Sequence, residues 1–149
     1  MHKRKLRALA TAAVCTALAT VGLSAFAAQD EESPLHKAME KVQVENSTIL
    51  KGVRNEVLFK KNQADIVKAA KELAKIGKET RKYTEPAEAT KQPVEKWYEL
   101  MDKFVKESED FAEKAEAKGA KQAEVKKAYK SVQTSCTACH DVFRPSEEP

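Results

Sequence analysis

The stretch VKKAYKSVQTSCTACHDVF, residues 125–143, decides the fold, because its apolar residues recur three or four positions apart. Val125, Tyr129, Val132, Cys136, Cys139 and Phe143 fall on one face of a helix, while Lys126, Lys127, Lys130 and Asp141 fall away from it. The segment starts near Ala120, and Pro145 stops it. A helix with one apolar stripe is stable only when that stripe is covered, so the rest of the chain must supply partners.

Working outward, three more segments have the same period. The first opens at Ser33-Pro34, with Ser as N-cap and Pro in the first turn, and its stripe reads Leu35, Met39, Val42, Asn46, Ile49, Val53. The second is expected to begin near Asn62, where Asn62 and Asp65 resemble a capping box. It presents Ile66, Ala69, Ala70, Leu73 and Ile76, and it fades towards Tyr83. Residues 84–92, followed by Pro93 and containing Pro86, are expected to form a loop. The third segment follows from Pro93, with Val94, Trp97, Met101, Phe104, Ser108, Phe111 and Ala115 inward and Gly119 as C-cap. No alternating β-branched run appears, and only three glycines follow residue 27. The chain therefore reads as all-α, an antiparallel four-helix bundle.

Residues 1–27 have a basic start (Lys3, Arg4, Lys5, Arg7), an apolar stretch from Ala8 to Leu23, and Ala25-Phe26-Ala27. That order is the pattern of a secretory signal peptide, expected to be cleaved after Ala27, leaving residues 28–149 as one domain. The apolar stretch is short for a membrane span. A lipid anchor at Cys15 would need a small residue before it, where Val14 stands. Four of the 27 basic residues leave with the signal and none of the 23 acidic ones does, so the mature chain is balanced in charge. Neither a nucleic-acid partner nor a membrane partner is expected after cleavage.

Cleavage also removes Cys15, leaving Cys136 and Cys139 in the sequence Cys136-Thr137-Ala138-Cys139-His140. C-x-x-C-H is the attachment signature of haem c: thiols one helical turn apart can bond one haem edge, and the adjacent imidazole can meet the iron. Other readings fit less well. A thioredoxin-type pair sits at a helix N-terminus after a strand, whereas this pair sits late in a helix. Zinc would want four ligands, and the mature chain adds only His36 to the motif. A disulfide here would join consecutive turns and constrain little.

Ser135-Cys136-Thr137-Ala138-Cys139-His140-Asp141-Val142-Phe143-Arg144 near the C-terminus, together with Leu35-His36-Lys37-Ala38-Met39-Glu40 opening the first helix, resembles the class II cytochromes c. These comprise cytochrome c-prime and its low-spin Met-ligated relatives; b-type four-helix cytochromes look similar. The resemblance implies one haem c, with its iron, on Cys136 and Cys139, with His140 as proximal ligand and Met39 at the place of the distal thioether. It implies Arg144 beside the proximal imidazole, and Leu35 where cytochrome c-prime usually has an arginine. Trp97 and Phe104 are expected against the porphyrin, Met101 in its lining, and His36 partly exposed near the bundle end. Asn46 is expected to set register or meet a buried water. The implied function is periplasmic electron transfer with periplasmic redox proteins as partners and no catalytic group, with a homodimer through the first two helices left open. The alternative is a five-coordinate protein that binds nitric oxide or carbon monoxide. A third reading, a haem-free helical interaction module, requires the motif to be accidental.

Overall fold

The computed structural model describes residues 33–144; the proposed signal and its cleavage site lie outside the described residues. Its elements are α1 (Pro34–Gly52), α2 (Glu56–Thr80), α3 (Glu85–Thr90), α4 (Val94–Glu116) and α5 (Gln122–Phe143). No strand occurs among the described residues. The four long helices form the expected all-α bundle.

α1 starts as the sequence predicts: the Ser33 hydroxyl accepts from the His36 N–H at 3.1 Å, and Pro34 occupies the first turn. α2 corrects the sequence reading. It begins six residues before Asn62, capped by Asn55, whose side chain accepts from the Leu58 N–H at 2.9 Å. Asn62 instead kinks the helix, with φ −113° and ψ 15°, while its amide donates to the Leu58 carbonyl at 2.7 Å. Asparagine competes for backbone partners wherever it stands, so the same preference that makes a cap also makes a kink. The earlier start adds the buried Phe59 to the core.

The expected loop at 84–92 contains a further correction, the short helix α3. Pro86 lies in its first turn, where a missing N–H costs nothing, and Lys91 ends it in the left-handed region at φ 54°. Ala87 from this turn is fully buried. α4 is capped by Ala117 rather than by Gly119, which turns the chain two residues later at φ 78°.

α2 packs on α1 and on α4, and α4 packs on α5. Ion pairs Lys71–Glu116 (2.7 Å), Lys78–Glu109 (2.6 Å) and Arg81–Asp102 (2.6 Å) step along the α2–α4 seam in one antiparallel register. Exposed pairs of this kind add little stability each. Burial carries the fold: Ile49, Phe59, Ile66, Leu73, Phe111, Tyr129 and Val132 form one continuous core. α4 side chains come close to the α2 backbone at Gly77, where an added Cβ would lie 2.7 Å from Val105 Cγ2 and 2.9 Å from Phe104 Cδ1. Gly77→Ala is expected to lose about 1–3 kcal/mol by overpacking, more than alanine's helix preference of ~1 kcal/mol returns. An unchanged or raised melting temperature would contradict this crossing.

Candidate functional site

α5 carries the motif on its inward stripe. Val125, Tyr129 and Val132 are buried, Ser135 is fully buried with its hydroxyl donating to the Val132 carbonyl at 2.7 Å, and Phe143 closes the far end. Between these closed ends Cys136 and Cys139 are only half-buried, and no disulfide joins them. α1 shows the same gradient. Ile49 and Val53 are buried, whereas Leu35, Met39 and Val42 on the same stripe are partly open. Inward-facing apolar side chains therefore stay half-covered on both helices over one stretch.

That stretch is shared. Gln122 donates to the Val53 carbonyl at 2.6 Å, and the Tyr129 hydroxyl donates to the Asn46 side-chain carbonyl, so α1 and α5 run antiparallel in one register. Continued two turns, the register puts Met39 level with Cys136; one turn further it puts Leu35 level with His140. Asn46, expected to set register or hold a water, makes its bond with Tyr129.

The thiols are not prepared as thiolates. Burial pushes Cys136 up, and burial followed by the nearby Cys136 pushes Cys139 to about 11. A redox pair of the thioredoxin kind needs the opposite shift. Burial and Cys136 also raise Tyr129, which places that hydroxyl within electrostatic reach of the motif. Among the described residues no group of three or more His, Cys, Asp or Glu is gathered to hold a metal ion.

The other predicted site residues divide. His140 is exposed and lies beside the inward stripe, not on it. The Arg144 side chain is exposed, and its backbone N–H donates to the His140 carbonyl at 3.0 Å as the cap of α5. Trp97 is buried on α4, donating to the Arg81 carbonyl at 3.0 Å and meeting Phe143 edge-on at 5.3 Å. It thus packs on α5 one turn past His140, under the end of the motif. Met101 and Phe104 are buried in the core. His36 stands on the exposed side of α1, 4.0 Å from Glu40.

Two surface clefts lie elsewhere. One of about 280 Å³ sits by the α1–α2 turn between Lys51, Arg54 and Asp65, and a wider, shallow one follows α2 from Lys60 to Lys75. Neither touches Met39, Cys136 or His140. Sequence reasoning missed the Phe143–Trp97 pair and the Tyr129–Asn46 bond; both stripes were visible, but their mutual register was not.

A large, flat, apolar group with two thioether anchors and a nitrogen ligand fits these residues. Two thiols lie one turn apart on the inward face, beside half-covered apolar side chains, with an imidazole next in the chain. A family model described as Cytochrome C' matches residues 34–144, which takes in all five helices. No curated protein and no solved structure matches.

Proposed function

We propose, from the premise that this chain belongs to the cytochrome c′ family, that it is a periplasmic electron carrier whose haem is bonded to Cys136 and Cys139 and ligated by His140 and Met39. Proteins of the family carry covalently attached haem c with its iron, serve electron transfer or ligand binding, and are typically periplasmic. The observation that carries the finer reading is the α1–α5 register, which sets Met39 level with Cys136 on half-covered inward stripes.

Haem iron supplies a one-electron ferric–ferrous couple when bound. The chain's residues would do the rest. Cys136 and Cys139 would fix the group to one face of α5, so that it is retained in both oxidation states. His140, tied to the same helix, would offer its imidazole without a search. Met39 would offer a soft thioether from α1, a ligand that favours the ferrous state and raises the potential. Leu35, Val42 and the Trp97–Phe143 pair would exclude water. No acid or base is required, so no catalytic residue is assigned. Residues 1–27 would direct export and be removed after Ala27, and no described helix is long and apolar enough to cross a membrane.

Visible spectra of both oxidation states test the reading. The ferric protein is expected to be low-spin with a weak sulfur-to-iron charge-transfer band, and the ferrous protein to bind carbon monoxide poorly. A high-spin ferric protein that binds carbon monoxide rapidly on reduction would instead support the gas-binding alternative, which fits the family equally. Members of the family are often homodimers. Here Val44 and Leu50 on α1 and Val57 on α2 stand exposed, at 63%, 46% and 76%. A dimer through these helices is part of the proposal, and Val44→Glu with Leu50→Glu should shift sedimentation to the monomer.

A further inference from the structure

Nowhere do Cα atoms of α1 and α5 come within 8 Å of each other. Directly packed helices run with axes only ~8–10 Å apart, so backbone packing does not set the spacing of this pair. Two side chains span it. Gln122 reaches the Val53 carbonyl at the closed end, and Tyr129, two turns along α5 towards the motif, donates to the Asn46 side chain, with the Asn46 backbone carbonyl 3.5 Å away.

The Tyr129–Asn46 bond is suited to hold a distance. The Tyr129 ring is 2% exposed and packs at 5.4 Å against Phe111 of α4, so its hydroxyl sits on a lever fixed by the core. Asn46 interrupts an otherwise apolar stripe, a place where an amide is costly unless bonded. A single polar pair in an apolar seam adds little net stability and fixes register. Each partner stands seven residues, roughly 10 Å along its helix, from the proposed site: Tyr129 from Cys136 and Asn46 from Met39. Neither takes part in attachment or ligation.

We propose that the Asn46–Tyr129 hydrogen bond is a strut that sets the α1–α5 spacing at the haem and so governs how closely the α1 side approaches the iron. Both are positioning residues. The inference rests on the placement of haem between α1 and α5 given above.

The test compares holoprotein of the wild type, Tyr129→Phe, Asn46→Leu and the double variant. Ferric spin state and the rate of carbon monoxide binding to the ferrous form are the readouts. Gln63→Leu is the control, because it removes another part-buried interhelical hydrogen bond, Gln63 to the Ala115 carbonyl at 2.7 Å, from the α2–α4 seam. Tyr129→Phe should gain high-spin character and bind carbon monoxide about three- to tenfold faster, the range expected for loss of one such bond. The double variant should go no further than Tyr129→Phe, since both changes remove one interaction. Gln63→Leu should lower the melting temperature and move neither readout. A Tyr129→Phe protein with the wild-type spectrum and rate overturns the proposal, as does a Gln63→Leu protein that moves both equally. Should Tyr129→Phe fail to accumulate, Asn46→Leu reads the same quantities with the Phe111 contact intact. If the wild type itself is high-spin, Met39 ligation is rejected, yet the rate still decides: acceleration in Tyr129→Phe supports the strut and an unchanged rate rejects it.

Discussion

Replacing Cys136 and Cys139 together by alanine is expected to abolish haem-stained protein on denaturing electrophoresis, while the wild type keeps its haem through denaturation and acid extraction. The effect should be all or none, because thioether bonds survive unfolding and axial ligation does not. It follows from where the thiols sit: one turn apart, inward, half-covered, unjoined to each other and held neutral by burial. Burial that makes them poor free nucleophiles also shields them from stray oxidation before attachment. The variant should melt at a lower temperature as well, since a cofactor bound only by the native state stabilises that state by mass action. Haem that extracts freely from the wild type would reject attachment at these positions.

His140→Ala tests the proximal ligand. It should lose the native spectrum and fold poorly, because His36 lies near the start of α1 beside Glu40 and is not carried by the thioether-bearing turn. An unchanged spectrum would assign the proximal ligand elsewhere.

How much of this was legible in the sequence differs from element to element. The stripes of α1, α4 and α5 were readable because one side of each faces a continuous core and the period survives end to end. The start of α2 was not, since Asn55 and Asn62 have the same local chemistry and only the fold decides which one caps and which one bends. α3 was hidden by prolines that usually break helices yet are tolerated in a first turn. At the site, C-x-x-C-H was plain in the chain. The common level of Met39 and Cys136 was not, because register between α1 and α5 is fixed by pairs 69 and 83 residues apart, Gln122–Val53 and Asn46–Tyr129, that no local pattern shows.

Met39→Ala is the second large expected effect, and the one on which electron transfer depends. Met39 lies on the inward stripe of α1, half-covered, at the level of Cys136 in the register that two interhelical hydrogen bonds define. A core methionine would have the same stripe position, so burial alone does not choose between ligand and filler. Chemistry does. As a ligand its removal should eliminate the sulfur-to-iron band completely, convert the ferric protein to high-spin, and open the ferrous protein to carbon monoxide. The reduction potential should fall by on the order of 100 mV, a modest part of the ~0.8 V over which axial ligands set it. As a filler only half-covered at this position, its removal would cost at most about 2 kcal/mol of stability, the low end for a core methionine, and leave the band and the potential alone. Met101→Leu is the control: Met101 is 3% exposed in the α4 core, and its near-isosteric replacement should leave the band intact. A band that survives in Met39→Ala would remove Met39 from the iron and, with it, the argument for an electron carrier over a gas-binding protein.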